Sequence, residues 1–134
     1  MIRTTLVAAS IAIAFASPFG AAHAQQPLTL KVYNADGNSF NVNSTLIYGQ
    51  KEAMVIDAGF TRADALRIAA NVLDSGKQLT TIYVSQADPD YYFGVETLKE
   101  IFPQAYVVST PAVLDQLAPK MAGHMAFGGP KLVA

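Results

Sequence analysis

Ser85-Gln86-Ala87-Asp88-Pro89-Asp90-Tyr91-Tyr92-Phe93-Gly94 is the one stretch that gathers side chains able to do chemistry. An amide, two carboxylates and a phenol stand close together there, all of them oxygen donors suited to a cation or a polar ligand. A further acid, Asp57, closes Met54-Val55-Ile56 and precedes Ala58-Gly59. Both acidic positions follow short apolar runs of strand type, and the ends of strands are where an α/β sheet keeps its site. Asp-Pro-Asp ahead of a helix also reads, on its own, as N-capping and turn chemistry.

The elements that must position these residues are legible around them. Leu28–Tyr33 alternates apolar and polar residues, the period of a half-buried strand, and Asn34-Ala-Asp36-Gly37-Asn38 follows as turn chemistry. Thr45–Tyr48 and Ala53–Asp57 read as a hairpin joined through Gly49-Gln-Lys-Glu52. Thr61-Arg-Ala-Asp64 has the form of a capping box. Ala65, Ile68, Ala69 and Val72 follow at helical spacing, Leu66 and Leu73 widen that face, and Gly76 is the stop. Thr80–Ser85 is the next strand. Val95, Leu98, Ile101 and Phe102 mark a short helix ended by Pro103, and Ala105–Ser109 is the last strand. Thr110-Pro111 starts a helix with Val113, Leu114 and Leu117 facing inward as far as Pro119. Residues 121–134 show no period and read as an irregular tail. A β-meander followed by alternating helices and strands predicts an α/β layer with some parallel pairing.

Composition narrows the function classes. The 134 residues contain no Cys, which excludes disulfide staples and cysteine-ligated metal centres. Nine Lys and Arg against ten Asp and Glu leave no basic footprint for nucleic acid. Residues 1–24 carry Arg3, an apolar run from Leu6 to Ala16 and Ala22-His23-Ala24, the pattern of a secretory signal peptide cleaved ahead of Gln25. That apolar run is well short of the ~20 residues a spanning helix needs. The expectation is a periplasmic or secreted protein, free of the membrane once the signal is removed.

Asn43-Ser-Thr-Leu-Ile-Tyr-Gly49, Ala53-Met-Val-Ile-Asp57-Ala-Gly59, a helix, and Thr81-Ile-Tyr-Val-Ser85 with the acidic stretch resemble the metallo-β-lactamase-fold hydrolase superfamily over roughly residues 28–118. The resemblance implies the first half of an αββα sandwich, with residues 25–120 as a partial domain. The family's second motif is Thr-His-x-His-x-Asp-His-x-Gly-Gly. Against it, Ser85 takes the Thr place, and Gln86, Asp88 and Tyr91 take the three His places. Asp90 and Gly94 keep the motif's Asp and last Gly. In the family, the motif's His and Asp residues hold zinc together with later ligands, and Asp57 helps to order the metal loop.

The candidate metal ligands are therefore Asp88, Asp90 and Gln86, with Asp57 and Tyr91 supporting them; no residue is assigned to catalysis. An oxygen-only set is a poor match to zinc, which prefers imidazole and thiolate, so zinc binding is expected to be weak or absent. Three readings follow. The first is an exported, truncated or degenerate relative with little or no activity of its own. The second is a small periplasmic module binding a cation or polar ligand through Asp88, Asp90 and the two Tyr. The third is a divergent hydrolase of ester, thioester, lactone or β-lactam bonds using oxygen ligands. A small-molecule substrate is compatible with any of them, and an incompletely covered sheet would promote self-association. His124 reads as a solvated loop residue, Tyr91 and Tyr92 as packing, and Phe60 and Phe93 as core. Asn43-Ser-Thr45 matches a glycosylation acceptor by chance.

Overall fold

The computed structural model describes residues 26–132, so the signal-peptide expectation for residues 1–24 lies outside the described residues. The elements run β1 (Thr29–Asn34), a short 3-10 turn (Gly37–Ser39), β2 (Asn43–Tyr48), β3 (Glu52–Ile56), α1 (Arg62–Ser75), β4 (Gln78–Val84), α2 (Pro89–Tyr92), α3 (Val95–Ile101), β5 (Tyr106–Ser109) and α4 (Pro111–Leu132). One five-stranded sheet holds them, in the order β1-β2-β3-β4-β5. The first three strands pair antiparallel, whereas β3, β4 and β5 run parallel. A parallel pair needs a crossover rather than a hairpin, and α1 and α3 supply those crossovers.

The side-chain alternation of strands gives the sheet two very different faces. One register row, Lys31–Leu46–Val55–Ile82–Val107, crosses all five strands toward the helices. Its central members pack with Ile68 and Val72 of α1 and Leu98 of α3 in the buried core. The neighbouring rows, Leu30–Ile47–Met54–Thr81–Tyr106 and Val32–Thr45–Ile56–Tyr83–Val108, point the other way. None of these ten residues belongs to the core and none carries a charge at neutral pH; Leu30 is 63% and Tyr106 74% exposed. A single layer of helices cannot cover both faces of a sheet.

α1 is held at its start by a buried carboxylate. Thr61 and Asp64 form the capping box, with Asp64 N–H donating to Thr61 Oγ1 at 3.1 Å and Thr61 N–H to Asp64 Oδ2 at 3.2 Å. The same carboxylate accepts hydroxyl hydrogen bonds from Ser39 at 2.5 Å, Thr61 at 2.6 Å and, from β1, Tyr33 at 2.6 Å. Asp64 thus ties the 3-10 turn and the edge strand to the helix. Burial alone would raise its pKa, but the hydrogen bonds from Ser39, Thr61 and Tyr33 outweigh that and hold it below the usual carboxylate range.

Three expectations about packing are corrected. Leu66 and Leu73 are exposed rather than widening the α1 core face, because only the stripe through Ala65, Ile68, Ala69 and Val72 meets the sheet. Leu114 is likewise exposed on α4. The irregular tail assigned to residues 121–134 is helical as far as Leu132: α4 passes through Pro119 without ending. Pro119 is exposed, so its ring meets solvent, and the cost is the N–H that would have bonded the Asp115 carbonyl. Val113, Leu117, Met121 and His124 form the half-buried stripe that keeps α4 against the rest of the molecule.

Candidate functional site

The parallel pair β3–β4 ends in two adjacent loops. Asp57 follows β3 with a left-handed backbone (φ 63°), a conformation in which Asp is over-represented. Its N–H donates to the Tyr83 carbonyl at 2.8 Å, and its carbonyl accepts from Ser44 Oγ at 2.6 Å. That twist turns the carboxylate toward the β4 loop, where it accepts from Ser85 N–H at 2.8 Å and Ser85 Oγ at 2.7 Å. Burial pushes the Asp57 carboxyl up, the two Ser85 hydrogen bonds oppose this, and the charge of Asp90 adds to the rise.

Two backbone hydrogen bonds join the loops further along, Ala58 N–H to the Tyr91 carbonyl at 2.8 Å and Gly94 N–H to the Gly59 carbonyl at 3.0 Å. Gly94 lies so close that any Cβ there would run into the Ala58 carbonyl and the Ala65 methyl. Gly59 is left-handed (φ 83°), which explains glycine at that position too. Asp57, Gly59, Ser85 and Gly94 therefore build a rigid frame that presents residues 86–91.

Within that frame Asp88 is the N-cap residue of α2, yet its side chain makes no cap hydrogen bond. The capping reading of Asp-Pro-Asp is right about position and wrong about the use of the carboxylate. Asp88, Asp90, Tyr91 and His124 line one cleft with Phe40, Pro89 and Phe127, a volume of about 370 Å³. Burial, then the neighbouring Asp88 charge, raises the Asp90 carboxyl above its ordinary value. The Tyr91 phenol is raised by burial and by Asp90, Asp57 and Asp88, against a hydrogen bond with the Gln86 side chain. Gln86 is exposed, and it does not line the cleft.

His124 is the residue sequence reasoning misplaced. It sits on α4, half-buried, with Nδ1 hydrogen-bonded to the Tyr92 hydroxyl at 2.9 Å. The signal that locates it is its helical spacing from Leu117 and Met121, which a helix stop at Pro119 conceals. Phe40, Phe60, Phe93 and Tyr92 form a chain of ring contacts with centroid separations of 5.1–5.7 Å, running below the cleft from the 3-10 turn to α2. Phe60 and Phe93 are buried, as expected of core residues. A second cavity, about 200 Å³, lies between α4 and β5. Val84, Val107, Leu114 and Leu117 give it an apolar lining that offers little chemistry.

A mixed sheet with helices packed on one face and an acidic loop after its parallel strands is a layered α/β arrangement with one sheet face left open. The chain belongs to the metallo-beta-lactamase superfamily, whose family model matches residues 37–118. A sequence search among curated proteins gives no match. Among solved structures, DIM-1 metallo-beta-lactamase exposed to ceftazidime is similar with a TM-score of 0.56 at 14% identity, over 70% of this chain and 43% of that one. A metallo-beta-lactamase from Hirschia baltica gives 0.54 at 12% identity, over 70% and 44%. The chain thus spans less than half the length of these relatives, and the likeness is one of fold.

The residues present do not fit the zinc typical of the family. Among the described residues no three of His, Cys, Asp and Glu converge to hold a metal ion. Asp57 is committed to Ser85 and His124 Nδ1 to Tyr92, and Gln86 does not line the cleft. What remains in the cleft, two carboxylates, a phenol and the single imidazole nitrogen Nε2 of His124, falls short of the set of imidazoles that suits zinc.

Proposed function

We propose that this chain is an exported member of the superfamily whose motif segment does not support zinc-dependent hydrolysis and serves instead to bind a small molecule. The observation that carries this reading is the trio Gln86, Asp88 and Tyr91 at the positions of the three motif histidines, held in a frame that is otherwise kept. A hydrolytic zinc works by lowering the pKa of its bound water to about 7, which requires a closed set of ligands around it. Two carboxylates that share no third ligand cannot tune such a water. Export is supported by the pattern of residues 1–24, and no helix among the described residues is long and apolar enough to cross a membrane. The near-neutral charge argues against a nucleic-acid partner. The uncharged sheet face supports self-association of the chain.

The test is a hydrolysis screen of the purified chain with a chromogenic cephalosporin, a lactone and a thioester, each with and without added zinc. No zinc-dependent turnover is expected. Turnover that needs zinc and disappears in Asp88→Asn/Asp90→Asn would replace this reading with an oxygen-ligand hydrolase.

A further inference from the structure

We propose that the open sheet face packs against the same face of a second copy, in a two-fold dimer whose axis crosses the strands. The inference rests on the proposed self-association of the chain and gives that association a geometry. The face consists of two neighbouring register rows, with two residues from each of the five strands and no charge among them. At its edges Leu30, Val32, Tyr106 and Val108 are 63%, 52%, 74% and 41% exposed, and the residues between them are half-buried. Covering side chains this exposed removes roughly 600 Å² per copy, about 1,200 Å² in all, which reaches the size of a stable protein interface.

The order of side chains within the two rows selects a second copy as the occupant and fixes the axis. Each strand but β3 offers this face one larger and one smaller side chain: Leu30 and Val32, Ile47 and Thr45, Tyr83 and Thr81, Tyr106 and Val108. A two-fold axis that crosses the strands midway between the rows lays every strand over its own copy, running the other way. Each residue of one row then faces its strand's residue in the other row, so every large side chain meets a small one. Met54 meets Ile56 at the centre. An isologous interface requires this reciprocity, and alternating sizes let two layers interdigitate without voids. An axis along the strands does the reverse. It sets Leu30 on Tyr106 and Val32 on Val108, and it brings Glu52, which follows the alternation of Met54 and Ile56 onto this face, against its own copy. Like charges so placed repel, whereas the crossing axis separates them.

Sedimentation velocity of the purified chain and of Thr45→Glu and Ile47→Lys tests the proposal. Positions 45 and 47 face each other across the crossing axis. They flank the central strand, where the angle of about 30° between packed sheets displaces facing pairs least. The wild type is expected to sediment as a dimer. Each variant alone is expected to be monomeric, with its dissociation constant raised at least about a hundredfold by the unpaired charge. An equimolar mixture is expected to recover the dimer, because the introduced carboxylate and ammonium then face each other. Unchanged far-UV circular dichroism would show that the variants fold, and Leu30→Glu with Val32→Lys, at exposed edge positions, repeats the test should either unfold. A mixture that stays monomeric, single variants that stay dimeric, or wild-type assemblies larger than a dimer would overturn this geometry and leave self-association standing. A monomeric wild type would overturn both.

Discussion

Replacing Asp64 should be among the most damaging single changes in this chain, although the residue lies outside the cleft. The residue is 3% exposed, and its side chain accepts three hydroxyl hydrogen bonds at 2.5–2.6 Å. A hydrogen bond to a charged group is worth about 1.5–3 kcal/mol, and bonds within one network are not additive. In Asp64→Ala the Ser39 hydroxyl is stranded in the interior and Thr61 loses the side-chain half of its capping box, while the bond from the residue 64 N–H to Thr61 Oγ1 survives. Tyr33 can turn to solvent. The expected loss is about 4 kcal/mol, a large share of the ~5–15 kcal/mol that stabilises an ordinary domain. Asp64→Asn keeps the shape and one acceptor, and should cost about half as much. Urea unfolding followed by circular dichroism measures both, with an unchanged slope to show that the same surface is exposed. A carboxyl held below its ordinary range contributes stability that is present above the unfolded value and lost as pH falls through the folded one. The wild type should therefore lose stability at the acid end of the carboxylate range, and Asp64→Asn should lose less. Asp57 and Asp90, which are raised, act in the opposite sense at higher pH, so the two windows separate. A cost below ~1 kcal/mol for Asp64→Ala would refute the view that this carboxylate pins the 3-10 turn and β1 to α1.

Gly94→Ala should destabilise by roughly 2–4 kcal/mol, because its methyl meets the Ala58 carbonyl and neither loop can retreat without breaking the Ala58–Tyr91 and Gly94–Gly59 hydrogen bonds; thermal melts measure this. Ile47→Lys/Met54→Lys, on the open sheet face, should keep the fold while abolishing binding of a hydrophobic dye and reducing association in light scattering. Val55→Lys, on the opposite face and fully buried, should unfold the chain, as loss of the far-UV circular dichroism signal would show. Pro119→Ala restores the missing hydrogen bond to the Asp115 carbonyl, and should slow amide exchange in residues 119–123 without changing β3 or β4.

The parts of the fold that local chemistry dictates could be read directly. Alternation located β1, β2 and β3, and the Thr61–Asp64 capping box with Gly76 bracketed α1 within a residue at each end. The frame of the site was legible as well, because Asp57, Gly59 and Gly94 stand where the resemblance places them and Ser85 puts a hydroxyl in the place of its Thr. What could not be read depends on contacts between distant segments. Nothing near Asp64 announces that Tyr33 and Ser39 will converge on it. Leu66, Leu73 and Leu114 are apolar enough for a core, but whether they are covered depends on how much of each helix the sheet meets. Pro119 misled because a proline on an exposed helical face costs one hydrogen bond without ending the helix, and that hid the approach of His124 and Phe127 to the acidic loop.

The central claim, a kept frame around a donor set that does not suit zinc, is tested most directly by calorimetric titration of zinc into the wild-type chain and into Gln86→His/Asp88→His/Tyr91→His. The wild type should show no saturable zinc site in the micromolar range. The triple variant should bind zinc at least about a hundredfold more tightly, because imidazole nitrogens would return to a frame still set by Asp57, Ser85 and Gly94. Micromolar or tighter zinc binding by the wild type, lost in Asp88→Asn/Asp90→Asn, would contradict the claim and make the oxygen donors true metal ligands.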